Sequence, residues 1–115
     1  MQKNMRLITK VTGHPEVKRL MIHDCEDGVY LFTFEIEDDG GCSADLWFET
    51  IEDAMETAKD DYGIRLDHWT EIPDPPEHCQ QDWIAPARIP GRETGNPQWG
   101  KLEVFKNGKW VKIMA

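Results

Sequence analysis

Residues 46–64 read LWFETIEDAMETAKDDYGI, the pattern of a strand end, a capped helix and a helix stop. Thr50 is a natural N-cap, because its hydroxyl can accept a hydrogen bond from a free backbone N–H of the first turn. Apolar residues recur behind it at helical spacing, and Gly63 suits the left-handed residue that ends a helix. The stretch therefore predicts a helix of about three turns that buries one face on a sheet.

Four strands are predicted before this helix, at residues 5–11, 17–24, 29–37 and 42–48. The third has the clearest alternation, with aromatic and aliphatic side chains on one face and polar ones on the other. We expect its apolar row to be the face on which the helix packs. That row consists of Tyr30, Phe32, Phe34 and Ile36.

The register between the third and fourth strands follows from parity, since a slip of one residue exchanges the two faces of a strand. A three-residue loop, residues 39–41, aligns the apolar rows and pairs Phe34 with Leu46. The same register places Glu35 opposite Asp45, and like charges in that position are mildly destabilising. It also predicts the pairs Phe32 with Phe48, Ile36 with Ala44, Thr33 with Trp47 and Glu37 with Ser43.

The C-terminal part of the chain changes character. Residues 73–100 contain six prolines, which disfavour regular structure over most of the segment. Its large apolar residues indicate an extended strap that is pinned down by aromatic anchors. Asn107-Gly108 then predicts a tight type I′ hairpin. The expected pairs are Leu102 with Ile113, Glu103 with Lys112, Val104 with Val111 and Phe105 with Trp110.

Together these elements predict an α+β fold in a single domain, residues 1–115. Residues 5–72 form an antiparallel meander with one helix packed on one face, and a short strand is expected near residues 69–72. Residues 73–100 form the Pro/Gly-rich strap, and residues 101–114 form the C-terminal hairpin.

The charge is distributed unevenly. Residues 24–82 hold 19 acidic residues against two basic ones, Lys59 and Arg65, which gives a formal charge of −17. The segments before and after are each +4, so the chain carries −9. Such a field repels nucleic-acid phosphates and anionic lipid and favours a cationic partner. The simpler explanation is that the acidic surface keeps a small protein soluble.

Composition also indicates a compartment. No apolar run approaches the roughly 20 residues of a membrane span, and the first ten residues lack the apolar core of a signal peptide. Cys25, Cys42 and Cys79 are odd in number and far apart, which favours reduced thiols. We therefore expect a cytoplasmic protein.

Motifs for catalysis are missing. Ser43 is the only serine, and its surroundings do not match a nucleophile elbow. No His or Cys pair has zinc-ligand spacing, and the calcium-loop pattern that begins at Glu35 has Leu46 where a bidentate Glu is needed. Carboxylates are too abundant for any pair of them to indicate acid–base catalysis. The sequence thus predicts no catalytic residue, no metal and no cofactor.

Two parts of the chain carry a resemblance. They are DLWF at residues 45–48, running into EDA at 52–54 and YGI at 62–64, and CQQDWI at 79–84, leading to GNPQWG at 95–100. These segments resemble small acidic single-domain bacterial proteins of uncharacterised function, some of which are similar to immunity proteins. The resemblance implies a protein-binding role and assigns no site residue. For an acidic surface, a basic nuclease-type toxin would be a natural partner, since surface carboxylates can occupy positions that phosphates would take.

Three functions stay open at this stage. The first is a protein-binding module for a basic partner, with contacts at Glu35, Glu37, Asp38, Asp39, Asp45 and Trp47. The second is a small-ligand binder or enzyme whose pocket lies under the strap, lined by Trp69, Trp83, Trp99 and Trp110. The third is a structural subunit without a small ligand.

Overall fold

The structure is a computed structural model that describes residues 4–114. The chain divides into two compact units, residues 1–74 and residues 75–115. The described residues form eight strands, all in antiparallel sheets, and one α-helix, which packs on a sheet. The predicted α+β class is therefore confirmed.

The first unit is a five-stranded sheet with the helix on one face. The strand order is β4-β3-β2-β1-β5, so the first four strands form the predicted meander and β5 returns to pair with β1. The elements are β1 (Met5–Lys10), β2 (Arg19–Cys25), β3 (Gly28–Phe34), β4 (Ala44–Phe48), α1 (Ile51–Tyr62) and β5 (Thr70–Ile72).

Helix α1 forms as its sequence predicts. The backbone N–H of Asp53 donates to Thr50 Oγ1 at 3.2 Å, which satisfies one of the N–H groups that lack a partner within the helix. Gly63 has a φ of 71° and donates its N–H to Lys59 O at 2.9 Å. Ala54 and Ala58 are fully buried, so the helix approaches the sheet closely through small side chains.

The face on which α1 packs differs from the prediction. The helix lies on the aliphatic row of Leu20, Ile22, Val29 and Leu31, and not on the aromatic row. Strand β3 is apolar on both faces over residues 29–34, so alternation alone does not identify the face that meets the helix. Buried Phe32 and Phe34 stand on the opposite face, with Tyr30 partly buried beside them.

The predicted register between β3 and β4 is also wrong. Leu46 pairs with Leu31, Phe48 with Val29 and Asp45 with Phe32. The connecting loop spans residues 35–43 instead of 39–41, and the change of parity places Leu46 and Phe48 on the helix side of the sheet. Glu35, Ile36 and Glu37 lie beyond the end of β3. The predicted pairs Glu35 with Asp45, Ile36 with Ala44 and Glu37 with Ser43 therefore do not form, and Trp47 and Ala44 lie opposite Tyr30 and Thr33 respectively.

The second unit is a three-stranded sheet of order β6-β7-β8, formed by β6 (Ala87–Arg88), β7 (Leu102–Lys106) and β8 (Lys109–Met114). The tight hairpin is confirmed, with positive φ at Asn107 (53°) and Gly108 (81°). Three of the four predicted pairs form, but Leu102 pairs with Met114 instead of Ile113 because the register shifts between Leu102 and Glu103. The predicted strap is largely irregular, apart from β6 and a 3₁₀ turn at Arg92–Thr94.

Candidate protein-binding surface

Strand β4 forms one edge of the five-stranded sheet. Within residues 4–114 it pairs with β3 alone, which leaves the backbone groups along its outer edge without a strand partner. Its side chains are exposed on both faces except Phe48, which packs partly on the core. Leu46 is 48% exposed on the helix side of the sheet, and Trp47 is 53% exposed on the other side. Exposed large apolar residues on neighbouring positions of an edge strand are typical of a contact surface for another protein.

Trp47 is held in place by the turn between β2 and β3. Its Nε1 donates to the carbonyl oxygen of Asp27 at 2.9 Å. The indole lies against Gly28, where a Cβ would come within 2.3 Å of Nε1. Trp47 also lies opposite Tyr30, whose ring stacks on Phe32 with centroids 5.9 Å apart. The exposed indole therefore rests on a rigid support and loses little side-chain entropy when a partner covers it.

The loop over residues 35–43 leads into β4 and exposes a third apolar residue, Ile36, which is 48% exposed. Arg19 Nη2 donates to the carbonyl oxygen of Asp38 at 3.3 Å, and Ser43 N–H donates to Thr33 O at 2.8 Å. These bonds attach the middle and the C-terminal end of the loop to the sheet. Within the loop, the end of the Ile36 side chain lies against Gly40, where a Cβ would come within 2.8 Å of Ile36 Cδ1.

Carboxylates surround these apolar groups. Residues 26–49 contain eight acidic residues and no Lys, Arg or His. Of the predicted contact residues, all but Asp39 are exposed, and Asp39 is partly buried and makes contacts of its own. These exposed residues and the exposed apolar residues Ile36 and Leu46 together form what we call the β4 edge surface. It consists of Glu35, Ile36, Glu37, Asp38, Asp45, Leu46 and Trp47.

The structure brings Asp45 and Trp47 together on one row of β4, as alternation along a strand requires. It places Glu35, Glu37 and Asp38 in the adjoining loop. Sequence reasoning missed Ile36 and Leu46, which it assigned to the core. The available signal was the run of Asp and Gly residues after Ile36, which is as compatible with a long loop as with a tight turn.

Three basic residues of the same sheet, Arg6, Arg19 and His23, are buried, and Lys10 at the end of β1 is exposed. Arg6 is 2% exposed and donates from Nε and Nη2 to the carbonyl oxygen of Pro73 at 2.8 and 2.6 Å. The guanidinium of Arg19 lies 3.8 Å above the ring of Phe34. His23 Nε2 is 4.0 Å from Asp74 Oδ1. These three side chains are part of the folded interior, and residues 26–49 add no basic side chain, so the side chains that a partner meets at the β4 edge surface are acidic or apolar.

The tryptophans of the alternative pocket have separate surroundings within their units. Trp69 is partly buried against the core of the first unit. In the second unit, Trp83 packs on the cluster around Val104, Trp110 lies 3.9 Å beneath the guanidinium of Arg88, and Trp99 is 69% exposed. A ligand pocket formed by these residues stays a prediction, which a metabolite screen by tryptophan fluorescence and thermal shift can test.

The first unit also has a groove beside helix α1. It has a volume of about 350 Å³ and is lined by the apolar residues Met55, Ile64 and Leu66 and by the charged residues Glu52, Glu56 and Lys59. Because both signs of charge occur in the lining, the groove shows less preference for a cation than the β4 edge surface does.

The cysteines are free thiols. Burial raises the pKa of Cys25, and the nearby carboxylates of Asp27, Asp24 and Asp74 raise it further, against one backbone hydrogen bond that lowers it. Burial also raises the pKa of Cys79. A raised pKa leaves both groups protonated at neutral pH, which is the opposite of what a nucleophilic thiolate needs.

Two further properties of residues 4–114 concern metal ions and membranes. No three His, Cys, Asp or Glu side chains converge in a way that could hold a metal ion. None of the helices in this range is long and apolar enough to cross a membrane.

Comparison of the chain with protein-family models, with curated proteins and with solved structures finds no match.

Proposed function

We propose that this protein binds a basic partner protein through the β4 edge surface. The observation that carries the proposal is the coincidence of exposed, supported apolar groups with a set of exposed carboxylates. Trp47 and Leu46 are each about half exposed, and residues 26–49 contain no basic side chain. Apolar anchors contribute most of the affinity at such interfaces, while charge steers the encounter and selects the partner.

An immunity-type role is the specific form that we favour, with a basic nuclease as the partner. Exposed carboxylates can occupy positions on such an enzyme that nucleic-acid phosphates otherwise take. The same net charge repels nucleic acid and anionic membranes, so neither is proposed as a partner.

The test is a titration against purified small basic proteins, with lysozyme and ribonuclease A as the first probes, at about 50 mM and about 300 mM salt. Association that weakens as salt rises is expected, because the charges lie at the surface. Absence of association, or association independent of salt, would count against the proposal.

A pair of charge-matched variants locates the contact. Asp45→Lys with Glu37→Lys changes the β4 edge surface, and Asp60→Lys with Asp61→Lys makes the same change in net charge on helix α1. All four positions are exposed. We expect the first variant to lose at least about tenfold in affinity and the second less than about threefold. Equal losses would mean that only the total charge matters.

A further inference from the structure

We propose that the partner contributes an extended cationic segment that adds a strand to the outer edge of β4. This inference rests on the proposed function and specifies how the partner is held. In strand addition, backbone hydrogen bonds supply affinity, and alternate side chains supply specificity.

The two edges of the sheet differ in their readiness to accept a strand. Strand β5 is three residues long and is followed at once by Pro73, which cannot donate to a ladder. Strand β4 has five residues, and the stretch from Ser43 to Glu49 contains neither proline nor lysine. Within residues 4–114, no strand pairs with its outer edge. A very short strand and a proline thus protect the β5 edge, whereas β4 carries only the negative charge of Asp45, which a cationic strand would tolerate.

The side chains of β4 define what can pair with them. Asp45 and Trp47 project to the same side of the sheet, and Glu49 follows at the next alternate position just beyond the strand. This row of acid, aromatic and acid is complemented by a row of base, apolar residue and base. The intervening row, Ala44, Leu46 and Phe48, is complemented by aliphatic side chains. The preferred segment therefore alternates, with Lys or Arg at two positions four residues apart and an apolar residue midway.

A second copy of this chain is a poor occupant. Antiparallel pairing of two β4 strands centred on Trp47 places Asp45 opposite Glu49, and pairing centred on Asp45 places two aspartates opposite each other. Pairing centred on Leu46 avoids like charges in direct opposition but places Asp45 opposite Trp47, so it supplies no cation to either carboxylate. Each copy also brings the eight acidic residues of positions 26–49 without a basic one. Charge therefore favours a cationic strand from another protein.

The experiment uses the full chain and a synthetic peptide, Thr-Lys-Val-Leu-Val-Lys-Thr, acetylated and amidated at its ends. Its palindromic pattern offers the same complement in parallel or antiparallel orientation. Two analogues carry three backbone N-methyl groups each. The first is methylated on the two Lys residues and the Leu, and the second on the two Val residues and the last Thr. Since every second N–H of a strand points to one neighbour, we expect one analogue to lose at least about tenfold in affinity and the other to bind almost as the parent does.

Protein variants supply a second readout. Leu46→Lys adds a charge to the edge, and Leu66→Lys adds the same charge to an exposed leucine outside the sheet, 75% exposed. Only Leu46→Lys is expected to lower the affinity for the peptide, by at least about tenfold. In hydrogen exchange, the peptide should protect amides of residues 44–48 and leave those of residues 70–72 unchanged.

Each alternative outcome is decisive. If both N-methylated analogues bind as the parent does, with the usual salt dependence, strand addition is wrong and the proposed function stands. The same conclusion follows if basic proteins bind and the peptide does not. If neither binds, both proposals fail. A dimer in sedimentation that Leu46→Lys abolishes would show that a second copy occupies the edge, which overturns the inference.

Discussion

The indole of Trp47 in β4 packs directly on Gly28 at the start of β3. The indole Nε1 donates to the carbonyl oxygen of Asp27 at 2.9 Å, and this position is open only because Gly28 has no Cβ. Gly28 also has a φ of 125°, which side-chain-bearing residues rarely adopt. One glycine therefore shapes the β2–β3 turn and seats the exposed tryptophan of the β4 edge surface.

Gly28→Ala is expected to lower the free energy of unfolding by about 1–3 kcal/mol, because it combines backbone strain with displacement of the indole. Urea unfolding and tryptophan fluorescence measure the two effects. In a Trp47→Ala background the same substitution should cost less, since only the backbone strain remains. Equal costs in both backgrounds would contradict the steric part of this account.

Thr50→Ala should destabilise the protein by about 1 kcal/mol, because the Asp53 N–H loses the side-chain acceptor that caps helix α1. Thr50→Ser keeps a hydroxyl in the same place and is the matched control. We expect the serine variant to retain most of the stability in urea unfolding. A serine variant as unstable as the alanine variant would mean that the Thr50 methyl group, and not the cap, is responsible.

Arg88→Lys should lower the stability of the second unit by about 1 kcal/mol. The Arg88 guanidinium donates from Nε to Glu103 Oε1 at 3.1 Å while it lies 3.9 Å above the Trp110 ring, and a lysine cannot do both in this planar geometry. Thermal unfolding followed by near-UV circular dichroism reports the change around Trp110. Arg92→Lys is the control, because Arg92 is exposed and its contact with Gln80 should be worth less than about 0.5 kcal/mol. A greater loss of stability in Arg92→Lys than in Arg88→Lys would contradict this explanation.

The raised pKa of the Cys25 thiol predicts that the protein loses stability at alkaline pH. This pKa is raised above the ordinary value of 9.0, so the folded protein holds the thiol proton more tightly than the unfolded chain does. This contribution is complete below the unfolded pKa and is lost as the pH rises through the higher folded value. Urea unfolding at about pH 8 and about pH 10 should therefore show a decline that is shallower in Cys25→Ala.

Part of that decline should persist in Cys25→Ala, because the pKa of Tyr62 is also raised by burial and by Asp61. The alanine variant loses packing at every pH, so the slope with pH and not the absolute stability is the relevant quantity. An unchanged slope would show that the Cys25 thiol does not contribute.

The sequence by itself determined the local structures. Helix α1 has its cap at Thr50 and its stop at Gly63, and the Asn107-Gly108 hairpin has positive φ at both residues, because these signals act between near neighbours. The acidic character of residues 24–82 is equally a property of the sequence, as is the shared row of Asp45 and Trp47 on one strand.

Only the tertiary structure decided which face of β3 meets the helix, and therefore the register of β4. Both faces of β3 bury apolar side chains, with Leu31 on one and Phe34 on the other, so alternation favoured neither parity. The exposure of Leu46 and Trp47 follows from the position of β4 at the edge of the sheet. That position depends on strand order, which is set by contacts between distant parts of the chain, and no pattern within one strand encodes it.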